Sequence, residues 1–267
     1  MRDTKLIAHR GGAHDAPENT LAAFRHAWET GIDGIEGDFR LTRDGEIVCI
    51  HDATTGRTAG IRLSVASSTL ARLRELDVGV WKGERWAGER IPTIREVIAT
   101  VPPEKRLVIA LKSGPEIVLP LQKALAGSIL EPEQAVILAF SEEVIVEARI
   151  LLPRVKRFWL TDFKREWHGG GWSPSIGQIL RILERTGADG LSSKAHRSID
   201  AAFVQALRDA GMEFHVWTVD DLRTALRFCD LGVESITTNR PGWLKARLEI
   251  DTAKADNPNG IGQGRLP

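Results

Sequence analysis

Two carboxylates separated by one residue, Glu36 and Asp38, are followed by a histidine, His51, in the stretch GIEGDFRLTRDGEIVCIHD. In an extended strand the side chains of residues i and i+2 point to the same face, so Glu36 and Asp38 form a pair. The Asp44-Gly45 dipeptide between this pair and the histidine predicts a two-residue hairpin turn. In that register Asp38 lies directly opposite His51, with the two Cβ atoms about 5 Å apart. The spacing therefore predicts a patch of two carboxylates and one imidazole.

Polar residues also follow two other apolar runs of the sequence. His9 and Arg10 follow the run KLIA and precede two glycines, and Lys112 follows the run RLVIAL. If these runs are parallel strands of one barrel, their carboxyl ends meet at the same rim, where active sites of that fold lie. The sequence therefore predicts that two histidines, two carboxylates, an arginine and a lysine share one rim.

These residue types suit the cleavage of a phosphodiester. Carboxylates are preferred ligands of hard cations such as Mg²⁺ and Ca²⁺, and an arginine fork together with a lysine ammonium binds phosphate oxygens. Two histidines can share the work of general base and general acid near neutral pH. Charge develops on the phosphoryl oxygens and on the leaving alkoxide during such a reaction, and these groups can stabilise it.

The elements that must position these residues alternate along the chain, because short apolar runs are separated by amphipathic helical patterns. Alternating strands and helices predict a parallel sheet, and eight strands predict its closure into a barrel. An open, doubly wound sheet is the alternative, but its G-x-G-x-x-G signal is absent after the first strand. The eight predicted strands are residues 5–9, 34–39, 106–111, 134–140, 155–160, 188–193, 213–219 and 234–239.

We predict an α/β fold, a TIM (β/α)8 barrel, as a single domain over residues 1–250. The return arm of the hairpin, EIVCIH, adds a strand outside the eight, and residues 52–93 form a small insertion after the second strand. Residues 161–174, TDFKREWHGGGWSP, make a long loop rich in Gly and Trp. Residues 251–267 have few side chains to bury, and we expect this tail to be disordered.

The composition of the 267-residue chain argues against several classes of partner. Its 36 Lys and Arg equal its 36 Asp and Glu, so the net charge offers no electrostatic footprint for nucleic acid. No apolar run approaches the roughly 18 residues of a membrane span, and residues 1–10 enter a strand without the apolar region of a signal peptide. We expect no nucleic acid partner, no stable membrane insertion and a cytoplasmic location.

Several short motifs, in their order and spacing, closely resemble the glycerophosphodiester phosphodiesterase family. The motifs are HRG (9–11), PENT (17–20), E-x-D (36–38), T-x-DG (42–45), HD (51–52), GERIPTIREV (88–97), VWTVDD (216–221) and ITTNRPG (236–242). The resemblance covers roughly residues 5–245. It implies a TIM barrel, a divalent metal cofactor (Mg²⁺ or Ca²⁺), and hydrolysis of small-molecule glycerophosphodiesters to glycerol 3-phosphate and an alcohol.

The same resemblance implies roles for individual residues. His9 and His51 would be the acid–base pair, although the sequence does not indicate which is the acid. Arg10 would bind the phosphate, and Lys112 would lie beside it.

Two more residues are candidates for the substrate pocket. The resemblance places Trp217 there, but this residue shares a strand face with His215, and a core aromatic is the alternative reading. Glu18 belongs to the PENT motif, and its alternative role is to shape the start of the next helix, for which Asn19 is a plausible cap.

The resemblance also implies that Glu36 and Asp38 are metal ligands, and here the chain departs from the family. The family's third strand carries the motif Glu, apolar, Lys, whose Glu is the third carboxylate ligand, whereas this chain has Ala110 at that position. The loss of one ligand charge predicts weaker metal binding. A smaller departure is Asn239, where many relatives carry Asp.

Ala110 keeps two alternatives open. One is a barrel, natural or engineered, that binds phosphodiesters but is catalytically disabled. The other is a related lipid phosphodiesterase, which should expose an apolar or aromatic rim. Only the Trp-bearing loop of residues 161–174 hints at such a rim.

Overall fold

The computed structural model of the chain describes residues 4–165 and 171–256. Eight parallel strands form a closed barrel, because the first strand pairs with both the second and the last. The strands are β1 (Lys5–Ala8), β2 (Gly34–Leu41), β3 (Ile47–Cys49), β4 (Arg106–Leu111), β5 (Ala135–Ala139), β6 (Lys156–Thr161), β7 (Lys164–Arg165), β8 (Trp172–Ser173), β9 (Gly190–Lys194), β10 (Glu213–Trp217) and β11 (Ser235–Thr238). Strands β3, β7 and β8 do not belong to the barrel. The predicted TIM barrel is confirmed, and each predicted strand lies within two residues of the observed bounds.

Most of the helices begin at a residue whose side chain caps them. They are α1 (Leu21–Glu29), α2 (Gly56–Ala59), α3 (Leu70–Leu73), α4 (Ile94–Ile98), α5 (Val118–Ala126), α6 (Glu142–Leu151), α7 (Ile176–Thr186), α8 (Ala201–Asp209), α9 (Leu222–Leu231) and α10 (Pro241–Asp256). Side-chain oxygens accept an N–H from the first turn at Thr20, Thr69, Thr93, Ser141, Ser175, Asp200 and Asp221. Such caps satisfy backbone donors that a helix leaves unpaired at its start.

Side chains alternate between the inside and the outside of the barrel along each strand. In β4, Val108 and Ala110 point inward, while Leu107, Ile109 and Leu111 pack outward against the helices. Strand β2 is in register with β4, so that Glu36 pairs with Val108 and Asp38 with Ala110. Two inward positions of β2 are therefore occupied by carboxylates, next to the apolar inward side chains of β4.

The hairpin between β2 and β3 differs by one residue from the predicted register. Phe39 pairs with Cys49, and the backbone N–H of Ile50 donates to the carbonyl of Asp38 at 2.8 Å. The predicted pairing of Asp38 with His51 is wrong, because the loop has three residues and ends in Gly45 at φ +82°. A three-residue loop with a left-handed glycine is the next most common hairpin connection. The predicted extra strand is nevertheless present as β3.

The segment after β3 is an insertion with a small core of its own. Its core joins Val48 and Ile50 of the hairpin arm to Val65, Leu73, Val78 and Ile91. The arm is held in place on its other side by Pro92, whose carbonyl accepts the N–H of Cys49 at 2.8 Å. Because of this packing, the chain leaves its pairing with β2 after Ile50, and His51 lies at the rim of the barrel.

Two other predicted segments contain more regular structure than expected. Within residues 161–174, β7 and β8 form a short antiparallel ladder, in which Arg165 pairs with Trp172. Trp167 and His168 of that loop lie outside the described residues. Helix α10 runs to Asp256, so it includes the first six residues of the predicted disordered tail. Within the described ranges, no helix combines the length and the apolar character needed to cross a membrane.

Gly11 lies where β1 turns into the rim, and we predict that Gly11→Ala is destabilising. Its φ is +81°, and an added Cβ would approach the backbone carbon of Ala23 to 2.8 Å. Gly45→Ala is a matched control, because its φ is +82° but an added Cβ would meet nothing within 4 Å. We expect Gly45→Ala to cost about 1 kcal/mol from the left-handed backbone and Gly11→Ala to cost about 1–3 kcal/mol more from overpacking. Urea unfolding of both variants measures the difference, and equal costs would contradict this prediction.

Candidate active site

A single pocket opens at the carboxyl ends of the barrel strands and gathers nearly all of the predicted site residues. It is lined by His9, Arg10, Glu36, Asp38, His51, Ala110, Lys112, Leu138, Phe140, Leu160, Trp217 and Thr237. Among the predicted residues, only Glu18 is absent from this lining. The local register of the hairpin was mispredicted, yet the structure still brings His51 to the same pocket as the two carboxylates.

Asp38 occupies the centre of the polar side of the pocket. Its Oδ1 is 3.0 Å from Lys112 Nζ and its Oδ2 is 3.1 Å from Arg10 Nε. Asn19 Nδ2 also donates to Oδ2 at 2.9 Å, and Asn19 Oδ1 accepts the backbone N–H of Asp38 at 3.0 Å. Burial opposes ionisation of Asp38, but the charges of Lys112 and Arg10 outweigh it and lower the pKa of Asp38 to about 2. Asp38 is thus a permanently charged anchor for two cations.

Asn19 has a different local role from the one predicted. Thr20, and not Asn19, caps α1 through a hydrogen bond from the N–H of Ala23. Asn19 instead adopts a left-handed backbone conformation with φ of 58° and uses both ends of its amide on Asp38. The sequence predicts Asn19 as a helix cap within the PENT motif and gives no signal for its contact with Asp38.

Arg10 is held in an unusual backbone conformation by the carboxylates around it. The turn formed by His9–Gly11 places Arg10 at φ 53° and ψ 31°. Its backbone N–H donates to Glu36 Oε2 at 2.9 Å, and its Nη1 donates to Glu18 Oε1 at 2.9 Å. Left-handed non-glycine residues persist where their surroundings hold them, and they cluster at functional sites. Glu18 therefore lies behind Arg10 and contacts it, outside the pocket wall.

Glu36 is the less firmly ionised of the two carboxylates. Its side chain is buried, and this burial, followed by the nearby charge of Asp38, raises the pKa of Glu36. The pKa values of Glu36 and Asp38 are thus shifted in opposite directions, as expected for two like charges at one site.

His9 has an orienting partner that fixes its tautomer. Its Nδ1 lies 2.7 Å from Asn239 Oδ1, and Asn239 Nδ2 donates to Asp220 Oδ2 at 2.7 Å. The Asp220 carboxylate only accepts, so the Asn239 nitrogen must face it and the Asn239 oxygen must face His9. Neutral His9 therefore carries its proton on Nδ1, which leaves the lone pair on Nε2.

His51 has a carboxylate as its orienting partner. Its Nδ1 lies 2.7 Å from Asp52 Oδ1, and Asp52 Oδ2 lies 2.7 Å from Arg57 Nε. The Arg57 hydrogen bond is the main reason that the pKa of Asp52 is lowered to about 2. Asp52 is therefore ionised and accepts the Nδ1 proton of His51. The sequence showed Asp52 in the HD motif but gave no signal for Arg57.

The remaining wall of the pocket is apolar and aromatic. Phe140 and Trp217 meet edge to face with their ring centroids 6.0 Å apart, and Leu138 and Leu160 extend this surface downward into the barrel core. Trp217 fits both of the roles considered for it, substrate-pocket residue and core aromatic. It lines the pocket and also packs against the barrel interior. The pocket thus has one charged wall and one apolar wall.

Two carboxylates are available for a hard cation. Within residues 4–165 and 171–256, no cluster of three or more His, Cys, Asp or Glu side chains has the arrangement of a metal site. Glu36 and Asp38 fit a cation such as Mg²⁺ that is held by one or two carboxylates and completes its shell with water and phosphate oxygens. Ala110, beside Asp38 in the sheet, contributes only a methyl group to the pocket wall.

Comparison with known proteins gives one consistent result. The model of the glycerophosphoryl diester phosphodiesterase family matches residues 9–243. A glycerophosphodiester phosphodiesterase from Caldanaerobacter subterraneus is 33% identical over 247 residues, which cover 90% of this chain and 96% of the relative.

Solved structures show the same similarity in three dimensions. A phosphodiesterase from Oleispira antarctica, in complex with the product sn-glycerol-3-phosphate, has a TM-score of 0.83 at 27% identity and covers 92% of this chain and 96% of its own. A glycerophosphodiester phosphodiesterase from Agrobacterium tumefaciens has a TM-score of 0.74 at 25% identity, with coverage of 91% and 99%.

The paired Asp38 predicts a specific loss of stability in acid. Its pKa is 3.8 when unperturbed and about 2 in the folded protein, so it stabilises the fold above about pH 4, and that contribution disappears as the pH falls toward 2. The shift corresponds to about 2 kcal/mol. We expect Asp38→Asn to be less stable at pH 7, because Arg10 and Lys112 lose their partner, and to show a shallower decline between pH 4 and 2.

Urea unfolding across this pH range tests the prediction, with the exposed Glu46 changed to Gln as the control. A decline in Asp38→Asn as steep as that of the control would contradict it.

Proposed function

Because the chain belongs to the glycerophosphoryl diester phosphodiesterase family, a family of phosphoric diester hydrolases, we propose that it hydrolyses glycerophosphodiesters to glycerol 3-phosphate and an alcohol. The observation that carries this proposal is the convergence of His9, His51, Arg10 and Lys112 on one pocket. The Oleispira structure, which binds sn-glycerol-3-phosphate, is consistent with a small-molecule substrate of this class.

Arg10 and Lys112 are the proposed phosphate ligands. Both already bind Asp38, so their positions are set before a substrate arrives. A phosphodiester carries one negative charge, and fixed cations can stabilise the further charge that develops on its oxygens during the reaction. The opposite wall of the pocket, at Phe140 and Trp217, offers an apolar surface for the rest of the substrate.

The orienting partners support an assignment of the two histidines. The Nε2 lone pair of His9 is available as a general base, because its Nδ1 proton is committed to Asn239. His51 has a charged partner, the ionised Asp52, whereas His9 has a neutral amide, and this difference is the basis for proposing His51 as the general acid. In this proposal His9 takes a proton from the attacking hydroxyl, of water or of the adjacent glycerol carbon, and in the second case water must then open the cyclic phosphate that forms. His51 gives a proton to the leaving alcohol.

A divalent cation, Mg²⁺ or Ca²⁺, is part of the proposal, with Glu36 and Asp38 as its ligands. When bound, such a cation polarises a phosphoryl oxygen. Ala110 replaces the third carboxylate of the family motif, and Asp38 is already shared by Lys112 and Arg10. We therefore propose that this chain binds the cation weakly.

Two substrates with different leaving groups can distinguish the proposed acid, His51, from the proposed base, His9. We expect His9→Gln and His51→Gln each to lower kcat on glycerophosphocholine by about 10²- to 10⁴-fold. With a p-nitrophenyl ester of glycerol phosphate, the His51→Gln loss should be much smaller, because nitrophenolate leaves without protonation, whereas the His9→Gln loss should remain.

His14→Gln is the matched control for this experiment, because His14 also contacts the Asp that follows it, at 2.7 Å, but on the protein surface. Equal losses for His51→Gln on both substrates would refute its role as the acid, and full activity of either variant would refute the pair.

Ala110→Glu tests the metal proposal through binding as well as turnover. We expect calorimetry to show at least about tenfold tighter Mg²⁺ or Ca²⁺ binding in Ala110→Glu than in the wild type, because ligand charge sets the affinity of such sites. Ala110→Gln adds the same volume without the charge and should not gain affinity.

Turnover of the same proteins distinguishes a working enzyme from a disabled barrel. A wild type that hydrolyses a panel of glycerophosphodiesters, with little change in Ala110→Glu at saturating metal, supports the enzyme. A wild type without activity that becomes active only as Ala110→Glu identifies the chain as a disabled phosphodiester-binding barrel. Unchanged metal affinity in Ala110→Glu would remove Glu36 and Asp38 as ligands.

A further inference from the structure

Arg57, in the short helix α2 of the insertion, contacts residues from two separate parts of the rim. Its Nε lies 2.7 Å from Asp52 Oδ2. Its Nη1 and Nη2 donate to the two oxygens of Glu18 at 2.7 and 2.8 Å. All three nitrogens of one guanidinium are therefore used, on carboxylates that are 34 residues apart in the sequence.

The Glu18 contact leads to the proposed phosphate ligand. Glu18 is 9% exposed, and its Oε1 accepts from both Arg57 and Arg10. Burial would raise the pKa of Glu18, but the Arg57 hydrogen bond and the charges of both arginines outweigh it and lower that pKa. The Glu18 carboxylate thus fixes Arg10 from behind, and a paired, two-pronged bond from Arg57 fixes Glu18.

The Asp52 contact leads to the proposed acid. Asp52 has one oxygen on His51 Nδ1 and the other on Arg57 Nε. Asp52 and His51 are each about one third exposed, so neither is held by burial alone. The bond to Arg57 restricts the orientation of the Asp52 carboxylate, and the carboxylate in turn restricts the imidazole ring.

We propose that Arg57 is a positioning residue that keeps His51 and Arg10 in their relative places across the mouth of the pocket; this inference rests on the proposed function. The two groups belong to different structural units, since Arg10 follows β1 whereas His51 follows the hairpin arm. An exposed ion pair by itself contributes little to stability. Arg57 affects the reaction rate through the positions of His51 and Arg10, because a displacement of about 1 Å at a reacting group can lower the rate about 10²-fold.

Kinetics of three Arg57 variants test the inference. We expect Arg57→Gln and Arg57→Ala to lower kcat by about 10- to 100-fold, in the range typical of residues that orient functional groups. Arg57→Lys keeps the charge but cannot bond both oxygens of Glu18 and Asp52 together, so it should recover only part of the loss. Added guanidinium ion should restore part of the activity of Arg57→Ala.

Arg154→Ala is the matched control, because it also removes an arginine–carboxylate contact, at 3.2 Å to Glu133, in a region outside the pocket. We expect wild-type kcat for this control. Wild-type kcat in both Arg57→Gln and Arg57→Ala would overturn the inference.

A spectroscopic measurement separates this inference from the proposed function. In protein labelled with ¹⁵N in its histidine rings, Arg57→Ala should shift the Nδ1 signal of His51 and leave that of His9 unchanged. An unshifted His51 signal would overturn the inference, whatever the activity. If the wild type hydrolyses no glycerophosphodiester but the His51 signal shifts, the proposed function fails while the positioning of His51 by Arg57 is supported.

Discussion

The rim of this barrel depends on a charged carboxylate that is almost completely buried. A buried carboxylate is costly unless cations and hydrogen-bond donors surround it, and Asp38 obtains both from Lys112, Arg10 and Asn19. Each of these partners comes from a different segment of the chain. The requirement to satisfy Asp38 therefore fixes the relative positions of the end of β4, the turn after β1 and the segment that leads into α1.

The same requirement explains the strained backbone at the rim. Arg10 and Asn19 both have positive φ values, which cost free energy for residues with a side chain. Arg10 recovers part of that cost through its N–H bond to Glu36, and Asn19 through its two bonds to Asp38. The two carboxylates thus hold in place the turns that present the basic side chains of the pocket.

Most of the fold could be predicted from the sequence, because the signals for it are local. The apolar run of β4 was predicted at its observed bounds, and the polar residues that end the strands do meet in one pocket. The hairpin register was not predictable from Asp44-Gly45 alone, because the same dipeptide fits a two-residue loop and a three-residue loop that ends in Gly45.

The long-range partners of the site were not predictable from the sequence alone. Arg57 belongs to none of the motifs recognised in the sequence, and packing of the insertion against the hairpin arm brings it to Glu18 and Asp52. Asn239 stands where many relatives of the family carry Asp, but its effect on His9 depends on Asp220, which fixes the direction of the amide.

The balance of charge in the pocket links Ala110 to the way a substrate would be bound. Two carboxylates, Glu36 and Asp38, face two permanent cations, Arg10 and Lys112, on the pocket lining, so these fixed charges nearly cancel. A third carboxylate at position 110 would give an excess of negative charge that attracts a divalent cation and repels a phosphodiester. With alanine there, we expect the pocket to attract either ion only moderately. A divalent cation and an anionic phosphodiester that enter together would each offset the charge of the other, because the phosphate oxygens can supply the ligands that Ala110 does not. We therefore expect the proposed cation to bind more tightly to the complex with substrate than to the free protein.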